Sequence, residues 1–326
     1  MKLGRLLRPG RLPDDAFRLF YASDVHGSDV AWRKFLAAPR FYSAAALVMG
    51  GDLTGKALVP VVLGEDGRWR SFLNGERVLG DIGEVERHEQ SLAVNGFYGY
   101  RCDEAEHLRL ERDPAHLDDV FRRLIVERLT AWVALAEERL AGSGVPLWVM
   151  PGNDDDLAVD PLLVGEVVHN CDGQLVEVGG YIMASIGWAN PTPWSTPREE
   201  PEDRLAERIE RLVGGLDPGR AIFNFHAPPY GTSLDVGPAV RPDLTVETEA
   251  GDVKRVPIGS VAVREAIERY QPLLALHGHV HESPAIERIG RTLCVNPGSR
   301  YNEGVLDGAL ITLAGGEVAT CQLVSG

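Results

Sequence analysis

The chain has 326 residues, of which 44% are hydrophobic, enough apolar side chains for the core of one large domain or two modest ones. Its 33 basic residues are outnumbered by 48 acidic residues, so the net charge is −15 with histidine neutral. This acidity argues against binding to long nucleic acid or to an anionic membrane, because both attract positively charged surfaces. The four cysteines are far apart and form no CxxC pair, which indicates neither a zinc ribbon nor a disulfide framework.

The amino-terminal residues give no targeting signal. Residues 1–15 are basic but lack the apolar run of a signal peptide. No stretch of the chain reaches about 18 uninterrupted apolar residues, the length that a membrane span needs. The sequence therefore predicts a cytoplasmic protein with no membrane anchor.

Two short apolar runs near the start of the chain each end in polar residues. Residues 18–22 predict a buried strand followed by Asp24 and His26, and residues 44–49 predict a second strand followed by Asp52. Alternate residues of an extended segment point the same way, so Asp24 and His26 can reach one ion. If the strands are parallel neighbours, Asp52 joins them at the same sheet edge. The alternative role for Asp24 is to cap the helix that follows.

Residues 56–114 interrupt this pattern and are called the inserted segment below. Short apolar runs between Gly-containing turns predict a small β-meander, and a polar stretch at 95–100 comes after it. We interpret the segment as an insertion near the functional face of a single domain spanning residues 1–326, where it serves as a lid or an interaction surface. A solvated excursion with no role at the site is the open alternative.

A long amphipathic helix follows, with Asp113 as its cap and Pro114 as its first residue. The next predicted strand, 146–150, leads into Asn153 and Asp154. This is the third strand in the chain to end in glycine and an oxygen-bearing side chain. Turn statistics alone do not readily explain three such endings.

Further strands end in histidine. His226 follows the predicted strand 221–225, and His277, His279 and His281 follow the strand after it. Neutral imidazole is a good ligand for transition metals such as Zn, Fe and Mn. We interpret His277 as a hydrogen-bonded structural histidine, with a role behind the metal ligands or as an acid as its alternative.

The order and types of these residues resemble the calcineurin-like metallophosphoesterase family. Its pattern of DxH, GD, GN(H/D), H and GHxH is matched between residues 18 and 300, apart from the inserted segment. The matching positions are Asp24-Val25-His26, Gly51-Asp52, Gly152-Asn153-Asp154, His226 and Gly278-His279-Val280-His281. The resemblance implies a two-sheet α/β/β/α sandwich with an inserted cap-like segment. The predicted hairpins at 285–295 and 308–323 are expected to build its second, more antiparallel sheet.

The resemblance also implies a centre of two divalent metal ions, with Mn, Fe or Zn as the expected metals. One ion is expected to bind Asp24, His26 and His281, and the other Asn153, His226 and His279. Asp52 is expected to bridge the ions, because a carboxylate can share its oxygens between two metals whereas an imidazole nitrogen serves one.

The implied activity is hydrolysis of a phosphoester by a hydroxide held at the two ions, with a weak preference for phosphodiesters. Asp52, Asn153 and Asp154 are the catalytic candidates. The expected substrate is a small phosphorylated molecule or a nucleotide. The alternatives are a non-catalytic scaffold that binds a protein partner through the same fold, and a nuclease.

Asp154 departs from the commonest form of the family, which has histidine at this position. An ionised Asp154 facing a phosphate would repel it. Three accounts are open: a raised pKa that lets Asp154 act as an acid, an orientation away from the phosphate in which it orients a ligand such as His26, or protonation of the leaving group by another group. The second account is the one we expect.

Overall fold

A computed structural model describes residues 16–73, 75–241 and 243–326 of the protein, so the basic stretch 1–15 lies outside the described residues. Within these ranges there are six α-helices: α1 (Asp29–Tyr42), α2 (Ile82–Val94), α3 (Glu104–Arg112), α4 (Pro114–Leu140), α5 (Glu202–Val213) and α6 (Val261–Tyr270). None of the helices in the described ranges combines the length and the apolar character needed to cross a membrane.

The same ranges contain twenty strands. They are β1 (Phe17–Ala22), β2 (Ala46–Met49), β3 (Leu58–Leu63), β4 (Trp69–Ser71), β5 (Arg77–Leu79), β6 (Tyr98–Asp103), β7 (Leu147–Val149), β8 (Val168–Asn170), β9 (Leu175–Val178), β10 (Tyr181–Ile186), β11 (Ala221–Phe225), β12 (Val236–Pro238), β13 (Thr248–Glu249), β14 (Asp252–Val253), β15 (Arg255–Pro257), β16 (Leu274–Leu276), β17 (Ala285–Ile289), β18 (Thr292–Asn296), β19 (Asp307–Ala314) and β20 (Glu317–Ser325).

Two six-stranded sheets form the body of the fold. The first has the order β20-β19-β1-β2-β7-β8, with β1, β2, β7 and β8 parallel. The second has the order β17-β18-β16-β11-β10-β9, with β10, β11, β16 and β18 parallel. The central strands β2, β11 and β16 are buried along their whole length, as expected for parallel strands that are covered on both faces.

The sheets pack face to face through a shared apolar layer that includes Leu19 and Tyr21 of the first sheet and Ile222 and Leu276 of the second. Helices α1 and α4 cover the outer face of the first sheet, and α5 and α6 cover the outer face of the second. The arrangement is the predicted α/β/β/α sandwich, so this prediction is confirmed.

The placement of the terminal hairpins differs from the prediction. Strands β17 and β18 join the second sheet, but β19 pairs antiparallel with β1, so the hairpin β19–β20 extends the first sheet. The reason is burial: seven of the eight residues of β19 are buried, and the free edge of β1 offers a position covered on both faces. Helix α1 is also capped by Ser28 rather than Asp24, because the Ser28 hydroxyl accepts a hydrogen bond from the Ala31 nitrogen.

The inserted segment folds as a four-stranded sheet in the order β5-β4-β3-β6 with its own small core. It contains helices α2 and α3, whereas the sequence interpretation had only strands and a polar stretch. Its contact with the rest of the fold is close. The Ser28 hydroxyl donates to the Val94 carbonyl (2.6 Å), and a Cβ on Gly96 would lie 2.0 Å from the His26 carbonyl oxygen.

Asp155 ties the ends of β2 and β7 together. Its buried carboxylate accepts hydrogen bonds from the backbone nitrogens of Leu53 (3.0 Å), Thr54 (2.8 Å) and Gly152 (2.7 Å), and from the Thr54 hydroxyl (2.7 Å). Satisfied buried networks of this kind fix a loop in one conformation. The loops that carry Asp52 and Asn153 are therefore held side by side.

Arg198 also holds the loop that carries Asn153. Its side chain is 2% exposed, its Nε donates to the Asp155 carbonyl (2.9 Å), and it pairs with Asp160 (3.0 Å). Its backbone nitrogen donates to the Asn153 carbonyl (3.1 Å). Each nitrogen of the guanidinium has a carbonyl or carboxylate oxygen beside it, which is the usual condition for burying a charge.

Replacing Asp155 by alanine is expected to lower the free energy of unfolding by about 3 kcal/mol, because four buried donors lose their acceptor. Urea unfolding with EDTA present measures this without a contribution from bound metal. Asp156→Ala is the control: it removes the cap of a short 3-10 helix, at Leu157–Leu162, and should cost about 1 kcal/mol. Equal losses in the two variants would contradict the role assigned to Asp155.

Candidate metal centre

The parallel strands of both sheets end at one edge of the sandwich, and the predicted site residues lie there. The pairing of β1 with β2 continues past the strands, since Asp24 N donates to Gly51 O (2.9 Å) and His26 N to Asp52 O (2.9 Å). From the second sheet, Gly278 N donates to His226 O (3.0 Å). Within each sheet, the residues that follow neighbouring strands are thus joined by backbone hydrogen bonds.

The first group of potential metal donors is Asp24, His26, Asp52 and His281, with one atom from each within 4.8 Å of the others. The two Nε2 atoms of His26 and His281 lie 3.1 Å apart. His26 Nε2 is 3.5 Å from an Asp52 oxygen, and His281 Nε2 is 3.3 Å from an Asp24 oxygen. Four donor atoms that face one point can hold a metal ion.

The second group is Asp52, His226 and His279, again with their donor atoms within 4.8 Å of one another. The side-chain oxygen of Asn153 belongs to the same cluster, because it lies 3.0 Å from His226 Nε2 and 2.7 Å from His279 Nδ1. Asp52 is shared by both groups. The structure therefore brings all seven predicted ligands together, in the two sets that the resemblance implies.

Outer contacts fix the ring orientations of two of the histidines. His226 Nδ1 is 2.8 Å from the Gly50 carbonyl, and His26 Nδ1 is 3.3 Å from the Thr54 carbonyl. A ring nitrogen that donates to a carbonyl leaves the opposite nitrogen unprotonated and available to a metal. In both histidines the opposite nitrogen, Nε2, is the one that faces the cluster.

The backbone at the site is held in an uncommon conformation. Of the nine non-glycine residues with positive φ in the described ranges, four are candidate ligands: Asp24 (58°), His26 (38°), Asp52 (52°) and His279 (67°). Such conformations are strained for residues with a Cβ and persist only where surrounding contacts impose them. Their concentration at one cluster indicates a functional site.

The DxH and GHxH loops interlock at Gly278. A Cβ at this position would lie 2.1 Å from the Ser23 hydroxyl and 2.3 Å from an Asp24 oxygen, so only glycine allows the approach. His279 N then donates to both Asp24 oxygens, at 3.0 and 3.1 Å. The contact fixes the Asp24 carboxylate relative to the histidines of the second sheet.

The buried carboxylates of the site favour the binding of cations. Asp24 and Asp52 are 1% and 2% exposed, and burial of a carboxylate is costly without positive charge nearby. Burial favours the neutral ring of His226, yet the Asp52 and Asp24 carboxylates raise its pKa to about 10. Burial lowers the pKa of His26 to about 3 and of His279 to about 4, which leaves both rings neutral, the form that binds metal. The donor set thus fits divalent cations.

Asn153 is oriented by a relay that the sequence did not reveal. Its Nδ2 donates to the Thr196 hydroxyl (2.8 Å), which turns its oxygen toward His226 and His279. The Thr196 hydroxyl in turn donates to Glu199 (2.6 Å). Nothing in the local sequence of residues 190–199 marks this role, because it depends on a contact across 43 positions.

Asp154 contacts a candidate ligand, as expected, but the ligand is Asn153 rather than His26: Asp154 Oδ1 accepts a hydrogen bond from Asn153 Nδ2 (3.2 Å). Its Oδ2 lies 3.1 Å from Lys56 Nζ but 3.9 Å from His26 Nδ1, too far for a hydrogen bond. The sequence interpretation missed Lys56, whose ammonium group attracts the carboxylate to the wall of the cleft beside the cluster. Burial and the Asp52 carboxylate raise the pKa of Asp154 to about 6.

Two further side chains complete the surroundings. The Tyr301 ring lies over His26 with ring centroids 4.7 Å apart, and it was not predicted as a site residue. His277 has the structural role that was predicted: it is buried, and its Nδ1 is 2.8 Å from the Phe225 carbonyl and 3.0 Å from the Ala227 carbonyl. Its Nε2 has no hydrogen-bond partner among the described residues.

No family model matches the chain. An uncharacterized protein of Methanocaldococcus jannaschii, MJ1162, is 31% identical over 151 residues, covering 45% of this chain and 62% of that protein, so the chain spans less than two thirds of this relative. The crystal structure of TT1561 of Thermus thermophilus has a TM-score of 0.53 at 16% identity, covering 95% of this chain and 98% of that one. This likeness shows the fold.

The phosphoesterase YfcE from E. coli is 14% identical, covering 94% of this chain and 98% of that one, with a TM-score of 0.31, too low to carry an argument. What the fold and the cluster define together is a class: an α/β/β/α sandwich with buried Asp and His residues that can hold metal ions at one sheet edge. Membership of the calcineurin-like family stays a prediction.

Thr196→Val is expected to weaken metal binding by the second donor group about tenfold, because Asn153 loses the shorter of the two hydrogen bonds that its amide donates and keeps only the bond to Asp154 (3.2 Å). Calorimetric titration of metal-free protein with Mn²⁺ measures the effect. Thr196→Ser keeps the hydroxyl and should bind as the unaltered protein does. Thr192→Val is the matched control, because the Thr192 hydroxyl also donates to Glu199 (2.5 Å) but is not the acceptor for Asn153. Unchanged affinity in Thr196→Val would remove Thr196 from the site.

Proposed function

We propose that the protein is a metal-dependent phosphoesterase that binds two divalent cations and hydrolyses a small phosphorylated molecule, with a weak preference for phosphodiesters. The observation that carries the proposal is the pair of donor groups that share Asp52, at the base of a cleft of about 1320 Å³. Two divalent ions joined by one carboxylate activate water, orient a phosphate and stabilise the charge that develops during in-line displacement.

Several residues of the chain have separate roles at the site. Asp52 holds the two donor groups at a fixed separation, and the relay through Thr196 directs the Asn153 oxygen into the second group. Lys56 lies in the cleft beside the cluster, where its ammonium group can meet a phosphate oxygen. Asp154 positions that ammonium group and also accepts a hydrogen bond from Asn153 Nδ2 (3.2 Å).

Neither alternative function gains support from a specific feature. A nuclease needs a basic groove, but the two cations that line the cleft, Lys56 and Arg122, are each paired with a carboxylate, Asp154 and Asp156. A non-catalytic scaffold has no need to keep seven donor atoms in two compact groups. Both alternatives remain outcomes of the experiments that follow.

Protein loaded with Mn²⁺ is expected to hold close to two ions per chain by elemental analysis and to hydrolyse bis-(p-nitrophenyl) phosphate. His281→Ala and His226→Ala each remove one donor from one group, so each should hold about one ion, and Asp52→Ala should hold less than one. His88→Ala is the control, since His88 contacts Ser71 within the inserted segment (2.7 Å) and should leave both ions in place.

One ion or none in the unaltered protein, together with no hydrolysis of this diester or of p-nitrophenyl phosphate, would refute the proposal. The scaffold would then be the better explanation. Two ions without hydrolysis of either ester would refute the catalytic part alone.

Asp154→Asn is expected to lower kcat/KM about tenfold, equivalent to about 1.4 kcal/mol, while metal content stays at two ions. The reason is the lost charge partner of Lys56, which is then free to leave the cleft wall. Asp156→Asn is the control, because Asp156 lines the same cleft and pairs with Arg122. Unchanged turnover in Asp154→Asn would exclude Asp154 from the reaction.

A further inference from the structure

The cleft above the metal centre is far larger than a phosphate group requires. Its volume is about 1320 Å³, and its lining runs from Asp52, Asn153 and His279 outward between helix α4 and the strands β12 and β15. Pockets that enclose a complete small molecule are commonly about 300–1,000 Å³. The space beyond the metals therefore accommodates a substantial group attached to the phosphate.

The walls of the cleft do not favour a second anionic group. Five carboxylates of the lining lie outside the metal cluster, and they are Asp118, Asp154, Asp156, Glu202 and Glu282. Among the described lining residues the only cations are Lys56 and Arg122, which pair with Asp154 (3.1 Å) and Asp156 (3.6 Å). A further phosphate or carboxylate of a substrate would meet net negative charge.

Three of the five carboxylates, Asp154, Asp156 and Glu202, already have partners, so they offer less to a cationic group. Glu202 accepts hydrogen bonds from the Val261 and Ala262 nitrogens at the start of α6 (2.9 Å each) and from the Ser260 hydroxyl (2.7 Å). Asp156 accepts from the Ala158 nitrogen (2.7 Å). A carboxylate that is bonded in this way offers less to a ligand than a free one does.

Apolar side chains from three separate parts of the chain line the cleft. Trp194, which is 56% exposed, projects from the loop 190–197, called the Trp194 loop below. Strand β15 and the residues around it contribute Val256 and Ile258, and helix α4 contributes Phe121. Exposed apolar surface that lines a concave site is typical of ligand recognition.

The Trp194 loop is rigid and is attached to the metal centre. It contains three prolines, and Glu199 accepts hydrogen bonds from the Thr192 and Thr196 nitrogens, at 2.9 and 3.0 Å. The Thr196 hydroxyl is the acceptor for Asn153, and Trp194 is two residues away, at most about 7 Å between Cα atoms. A group esterified to a phosphate at the metals is therefore within reach of the indole.

We propose that the substrate is a phosphodiester in which one ester group is bulky, uncharged and apolar and packs on the apolar part of the cleft lining, to which Trp194, Val256 and Ile258 contribute. This inference rests on the proposed phosphoesterase function and narrows its substrate. Three prolines and the hydrogen bonds to Glu199 restrain the loop, so binding of the apolar group costs less ordering of the loop.

The test is a series of alkyl p-nitrophenyl phosphates, from methyl to octyl, hydrolysed by the Mn-loaded protein below the concentration at which the octyl ester forms micelles. All members release the same p-nitrophenolate, so differences report on the retained alkyl group. We expect kcat/KM to be at least about tenfold higher for the octyl ester than for the methyl ester, because each buried methylene is removed from water.

Trp194→Ser is expected to lower the octyl-to-methyl ratio at least about threefold, because part of the apolar lining is lost. Elemental analysis verifies that two ions are retained. Phe41→Ser is the matched control, since Phe41 is an exposed apolar residue (78%) on helix α1 and is not part of the cleft lining. It should leave the rates with both esters unchanged. The ratio measured on the unaltered protein stands even if a variant fails to fold.

Equal rates with the methyl and octyl esters would overturn the inference and leave the phosphoesterase function intact. The same holds if p-nitrophenyl phosphorylcholine or the p-nitrophenyl ester of thymidine 5′-phosphate is preferred over the octyl ester, which would indicate a cationic or a nucleoside group. No hydrolysis of any ester by protein that holds two ions would overturn both the inference and the proposed function.

Discussion

The burial of two carboxylates at one point between the sheets is the constraint on which the rest of the site depends. In the described part of the chain, the ion-pair partners of Asp24 and Asp52 within 4 Å are histidines alone: His26, His226 and His281. An imidazole supplies positive charge only when it is protonated. The raised pKa of His226 reflects the negative charge of the two carboxylates beside it. Divalent cations also balance the charge of the carboxylates, and they leave the imidazole rings neutral.

The fold stabilises this arrangement from outside the cluster. Positive φ at a residue with a Cβ costs about 1–3 kcal/mol, and the site has four such residues. The compensation comes from groups that are not ligands. Asp155 and Arg198 bind the backbone of the loops, and the parallel strands of both sheets bring the loops to one edge. Residues outside the donor groups thus stabilise the positive-φ backbone of the site.

The clustering of the candidate ligands could be predicted from sequence because each follows an apolar strand within a few residues. Their division between two ions was implied by the family resemblance alone. The three aspartates in 154–156 could not be told apart in this way. Asp154 lines the cleft beside Lys56, Asp155 is buried and binds loop backbone, and Asp156 caps a short helix. The residue type is the same at all three positions, so the loop conformation decides these roles. Thr196 and Lys56 were missed because their partners are distant in sequence. The hairpin β19–β20 was assigned to the wrong sheet because its apolar pattern does not show which sheet its first strand joins.

The Trp194 loop contributes both to the cleft lining and to the candidate metal centre. Thr196 sets the direction of the Asn153 oxygen, and Trp194, two positions earlier, lines the cleft. Glu199 accepts hydrogen bonds from the hydroxyls of both threonines of the loop, Thr192 and Thr196. A single carboxylate therefore holds both the segment that lines the cleft and the hydroxyl that orients Asn153.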